Sequence, residues 1–191
     1  MSDAPQPSTL KEERRLQILD AAAELLAKRP TASLADIAAH TRIGKATLHR
    51  YFASREALLT ALAIRALALV SAALAGCHLS EGTAPDALRR LIEALIPLGD
   101  KFYFLLNEHI WDVHPDLVAA EQVMEAPIRQ LIQRGQAEGS LRADLPLTWI
   151  MYMLEFTLFA AWQAIYDGNI ARREATHLVL ESLLEGMIAK A

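Results

Sequence analysis

The sequence predicts an all-α protein, and three observations carry that prediction. Ala and Leu recur at helical spacing from Lys11 to Lys190, with no convincing run that alternates apolar and polar residues as a strand does. Glycine and proline are few, eight of each in 191 residues, so breaks between helices are few. A hydrophobic content of 53% with mean hydropathy +0.18 allows a substantial core, in one large or two small domains.

The elements follow in order. Met1 to Ser8 is polar and contains proline, and is expected to be a disordered arm. Leu34, Ile37 and Ala38 face one side of a short helix that Ser33 caps and Asp36 closes as a capping box. After a turn through Arg42, Ile43 and Gly44, a helix from about Lys45 to Phe52 puts Leu48 and Phe52, four residues apart, against the first. A long helix from about Arg55 to Gly76 ends in CHLSEGTAPDA, where Gly82, Thr83 and Pro85 mark a loop and a new start. Further helices are expected at about 85–96, 100–113, 116–137, 146–167 and 171–189, about nine in all, with no internal repeat.

The outer side of the Lys45–Phe52 helix collects Ala46, Thr47, His49 and Arg50, with Lys45 and Tyr51 at its margins. Small, polar and basic groups are what a major-groove helix presents: cations for phosphates, donors for base edges and no bulk against approach. Between Asp36 and Glu56 no residue is acidic, while Arg42, Lys45, Arg50 and Arg55 are cationic. The same spacing also suits an amphipathic helix pair with a solvated basic face.

The run from Ile18 to Leu62, ILDAAAELLAKRPTASLADIAAHTRIGKATLHRYFASREALLTAL, resembles the N-terminal domain of TetR-family transcriptional repressors, with its four segments in the family's order and spacing. The resemblance is strong over about a quarter of the chain; beyond it only the helical pattern and EGSLRADLP, Glu138 to Pro146, look familiar. It implies a three-helix helix-turn-helix domain over 9–53, a connecting helix over 54–76 and an effector-binding and dimerisation domain over 77–191. It implies base-edge contacts for Lys45, Ala46 and His49, phosphate contacts for Thr47, Tyr51 and Arg55, and a place near phosphate for Ser33. The family usually has Gly where Arg42 stands, Ser or a similar cap at Gly44 and Tyr at His49. The titratable ring of His49 bears on both base preference and pH dependence.

Net charge is −4, but it is unevenly spread. Residues 1–60 hold nine Lys or Arg against seven Asp or Glu, and the rest ten against sixteen, so a +2 head sits on a −6 body. Local patches, not total charge, steer a protein toward DNA. The single cysteine, Cys77, excludes an intrachain disulfide and suits a reducing cytoplasm; an inert small residue is the expectation, redox sensing the alternative. No segment reaches the length of a membrane span without charges, and the first residues lack the apolar stretch of a signal peptide, so a soluble, cytoplasmic protein with no membrane partner is expected.

In the body, the helix from Pro146 to Tyr166 is apolar nearly all round, so two of its sides must be covered. A homodimer would cover it, through Pro146 to Asp167 and Arg172 to Met187 in the arrangement the resemblance implies; a thicker monomer core is the alternative. Glu155 shares a face with Met151, Tyr152, Leu158, Phe159 and Trp162, which suits a cationic or aromatic small-molecule effector, or else a carboxylate bonded within a dimer seam or exposed at its edge. Phe102, Phe104, His109, Trp111 and Met124 are further pocket candidates. Glu108, His109, Asp112 and His114 lack a recognised metal-ligand spacing and suit a helix cap before Pro115. With no nucleophile elbow, Gly-rich phosphate loop or paired Cys motif, neither a catalytic role nor a cofactor is expected.

These features predict a ligand-responsive repressor that binds a palindromic operator on double-stranded DNA as a dimer and is released by its effector. The alternative is a helical ligand-binding or partner-binding protein without specific DNA binding. Activation rather than repression would use the same reading head.

Overall fold

Three hydroxyl side chains set where helices begin. Ser33 Oγ accepts from the Asp36 N–H at 3.2 Å, Ser54 Oγ from the Ala57 N–H at 3.0 Å and Thr83 Oγ1 from the Asp86 N–H at 3.2 Å, each satisfying a donor that the first turn leaves free. The computed structural model describes residues 7–99 and 115–188. Among them run α1 (Pro7–Lys28), α2 (Leu34–His40), α3 (Lys45–Tyr51), α4 (Arg55–Gly76), α5 (Ala84–Leu95), a 3-10 turn (Ile96–Leu98), α6 (Pro115–Ala137), α7 (Leu147–Tyr166) and α8 (Arg172–Met187). The expected class is observed, with an isolated bridge between Leu141 and Ile188 as the one β feature among the described residues.

Two boundaries differ from expectation. α1 is helical from Pro7 onward, so Pro7 and Ser8, inside the stretch expected to be an arm, belong to it. α3 stops at Tyr51, and Phe52 turns extended at φ −138° to cap it. The helix expected over 100–113 lies outside the described residues.

The helices bury two apolar cores. The head core joins Ile18, Leu19 and Leu26 of α1, Ile37 of α2, Leu48 of α3 and Phe52 to Leu58 and Leu62 of α4. The body core joins Leu88, Leu91 and Ile92 of α5, Ile132 of α6, Ile150 and Leu154 of α7, and Val179 and Leu183 of α8. α4 serves both, with Leu58 to Leu67 in the head and Leu74 in the body. It is long and apolar enough to cross a membrane by length and composition, but here that apolarity feeds two cores, and its Arg65 pairs with Asp20 of α1 at 3.0 Å. One residue of α6, Leu117, is fully buried in the head core rather than the body.

The loop after α4 is held by two arginines. Arg90 donates to the carbonyls of Cys77, His78 and Glu81, and Arg134 of α6 to those of Leu79 and Gly82, at 2.7–3.0 Å. Cys77 caps α4; it is buried, its thiol lies 3.1 Å from the Ala73 carbonyl, and burial pushes its pKa up, the behaviour of an inert thiol. The segment from Glu138 to Pro146 turns at Gly139 (φ +74°), buries Leu141 and pairs Arg142 with Asp144 at 2.6 Å.

Candidate DNA-reading surface and effector cavity

α2 and α3 meet through a tight turn whose geometry follows from its residues. Thr41 donates its hydroxyl back to the Ile37 carbonyl at 2.8 Å, and Ile43 N–H donates to the Ala38 carbonyl at 3.0 Å. Between them Arg42 is held at φ 56°, the left-handed region that favours glycine. Gly44 then caps α3 in extended backbone without a side-chain bond. A Cβ there would meet nothing closer than Thr47 Oγ1 at 4.0 Å, so a serine would fit.

Leu48 (1% exposed) and Phe52 (2%) fix which side of α3 faces inward. The guanidinium of Arg15 sits 5.5 Å over the Phe52 ring and braces it from α1. Lys45, Ala46, His49 and Arg50 are thereby exposed together, and Thr47 and Tyr51 are half-buried at the margin. The remaining two residues of the expected surface have structural partners. Ser33 donates its hydroxyl to Asp36 at 2.6 Å in the capping box, whose hydrogen bonds hold the Asp36 carboxyl below its ordinary pKa. Arg55 donates to the Pro30 carbonyl at 2.8 Å, tying α4 to the loop before α2.

In the body, α4, α5, α6 and α7 surround a cavity of about 160 Å³. Met124, Met151, Phe159 and Trp162 supply much of its polarizable wall, and Glu121, Glu125 and Glu155 supply its acidic groups. Glu125 is paired with Arg129 at 2.7 Å. Burial raises the pKa of Glu155, with the charges of Glu121 and Glu125 adding to it; burial and then Glu125 raise that of Glu121. Trp162 is seated by donating Nε1–H to the Ile96 carbonyl at 3.2 Å. Its ring covers Gly99 so closely that a Cβ there would lie 1.9 Å from Cδ1. A second hollow, of about 670 Å³, lies between the end of α4 and α6 and shares Met124 as a wall.

Of the expected pocket residues, Met124, Met151, Glu155, Phe159 and Trp162 line the smaller cavity. Tyr152 does not: it is 54% exposed and faces Phe156 at 6.1 Å. With Trp149 (55%) and Phe156 (62%) it forms a bare aromatic stripe on the outer side of α7. Rings continue inward from it through Phe159 to Trp162, so stripe and cavity share one line of aromatic contacts. Phe102, Phe104, His109 and Trp111, and the proposed cap residues Glu108, Asp112 and His114, lie outside the described residues. Glu121 and Glu125 were missed by sequence reasoning. Their spacing with Met124 and Ile128 is a helical face, but glutamate on such a face ordinarily reads as solvated.

Comparison with known proteins defines the class. The sequence profile described as bacterial regulatory proteins, tetR family, matches residues 18–62, and the chain belongs to this family of helix-turn-helix transcriptional regulators. Among its relatives is the HTH-type transcriptional repressor LfrR of Mycolicibacterium smegmatis, 33% identical over 181 residues, covering 95% of this chain and 94% of that one. The HTH-type transcriptional regulator NfxB of Pseudomonas aeruginosa is 24% identical over 173 residues, covering 89% and 92%. The crystal structure of LfrR in complex with proflavine superposes with TM-score 0.77 at 32% identity, covering 93% of this chain and 99% of that one.

Proposed function

We propose that this chain is a ligand-responsive repressor. Two copies bind a palindromic operator through α3, and a cationic aromatic effector entering the α4–α7 cavity releases them. The observation that carries the DNA half is the exposed cluster of Lys45, Ala46, His49 and Arg50 on a helix whose other side is locked into the head core. The effector half is supported by an aromatic cavity lined by three glutamates and no basic residue, with Glu125 alone paired to an arginine, Arg129, a setting that favours a flat cation over a neutral or anionic ligand. Proflavine, bound by the relative LfrR, is a planar aromatic cation.

Dimerisation through α7 and α8 would cover the stripe of Trp149, Tyr152 and Phe156, and a two-fold dimer presents two α3 helices to two half-sites. The chain acts on DNA in the cytoplasm and has no catalytic role in this reading. Release is a matter of coupling: a hundredfold loss of operator affinity requires the effector to prefer the released arrangement by about 2.7 kcal/mol.

The test is a mobility shift of the purified protein on the DNA flanking its own gene, with excess non-specific competitor and a salt titration. A discrete, competitor-resistant band that proflavine dissolves is the expected result. Dye binding with no DNA band, on this or on random-sequence DNA, would instead favour a ligand-binding protein without a reading function.

A further inference from the structure

α6 has an unusual construction for a helix that spans both cores. Leu117, in its first turn, is fully buried in the head core. Met124, two turns later on the same face and about 10 Å along the axis, packs against both cores and lines the cavity. Ile128, one further turn on, is buried in the body core. The far end is fastened: Ile132 is fully buried, and Arg134 donates to two carbonyls of the loop after α4. Between the fastened end and the head-side turns stands Pro127, inside the helix and exposed. Proline has no N–H to give the Val123 carbonyl, so the ladder lacks a bond at the junction between the two halves, where bending is easiest.

We propose that Pro127 is a hinge and Leu117 a key, so that α6 carries effector occupancy from the cavity to the DNA-reading head. An effector pressing on Met124 tilts the head-side half of α6 about Pro127, while Arg134 holds the other half. Leu117 moves with the tilting half and shifts the head core into which it is inserted. Pro127 and Leu117 are positioning residues: neither touches DNA, and both act through the helix that joins Met124 to the head. The inference rests on the release reading above and adds the route.

The experiment uses the full-length dimer, a fluorescently labelled operator fragment recovered from the mobility shift, and proflavine. Three quantities are measured for wild type, Pro127→Ala and Pro127→Gly: dye affinity, operator affinity without dye and operator affinity at saturating dye. Alanine restores both the missing hydrogen bond and helix stiffness, whereas glycine restores the bond but keeps the backbone soft. In wild type, proflavine is expected to weaken operator binding by about tenfold or more, within the range usual for coupled sites. Pro127→Ala is expected to keep dye affinity and dye-free operator affinity within about twofold while the weakening falls below about threefold; Pro127→Gly should respond like wild type. Full release in Pro127→Ala would overturn the hinge, and so would equal loss of response in both variants. A wild-type complex that proflavine leaves intact would overturn the release reading, and the hinge with it.

Discussion

Replacing Arg42 by glycine should make this protein more stable, although it deletes a whole side chain. Arg42 sits at φ 56°, where Cβ crowds the following carbonyl at a cost of about 1–2 kcal/mol for an L-residue. Glycine removes that cost but brings extra freedom to the unfolded chain, about 0.5–1 kcal/mol. The side chain itself contributes no compensating contact, since Arg42 is exposed and makes no side-chain hydrogen bond or ion pair with a described residue. The net gain is about 0.5–1 kcal/mol, which in a chain of this size moves the melting temperature up by about 1–4 °C. Thermal unfolding followed by circular dichroism, at fixed protein concentration, measures it. Arg42→Ala is the control that keeps the Cβ, so its melting temperature should stay at the wild-type value. Equal stabilisation by Ala and Gly would show that the gain comes from removing a charge, and the backbone argument would be wrong.

The two arginines flanking the reading head should separate by assay. Arg50→Ala should leave the melting temperature unchanged and lower the slope of log affinity against log salt by about 0.9, if Arg50 meets one phosphate; Arg55→Ala should also lower the melting temperature, because its guanidinium holds the Pro30 carbonyl. Glu155→Gln should weaken proflavine binding measured by fluorescence titration, yet stabilise the ligand-free protein at neutral pH. The sign follows from the raised pKa: the folded state binds the proton more tightly than the unfolded state, so the ionised group costs stability as pH rises above 4.5, and the advantage of Gln should vanish below that value. Phe156→Asp, placed in the exposed stripe, should shift the protein to monomer in analytical ultracentrifugation and abolish cooperative operator binding with no loss of helix content.

The reading head was legible because its signals are local. Ser33 and Asp36 three residues apart, Leu48 and Phe52 four apart, and the absence of acid between Asp36 and Glu56 need only helical geometry to interpret. The polarity of Arg42 did not hide the turn, because Ile43 and Gly44 still follow in place. The body was less legible because its cavity is made by four helices at once. Glu155 could be picked out among aromatics, but Tyr152, which is only 60° away from it on an ideal helix, falls on the outer face, and periodicity does not resolve so small an angle. Glu121 belongs to the cavity only because α6 leans on α4 and α7, a fact of tertiary packing. Pro127, a residue that ordinarily ends a helix, lies within one because exposed backbone tolerates the lost bond.

The burial of Leu117 among head residues also bears on modular engineering. A chimera that transplants residues 1–76 onto another family member's body would carry the reading helix intact but leave behind the leucine that fills its core from forty residues downstream. The recipient would have to supply a side chain of the same volume at the matching place, or the graft would contain a void and melt early. The working unit of exchange is therefore discontinuous in sequence: the first four helices together with the opening turn of α6.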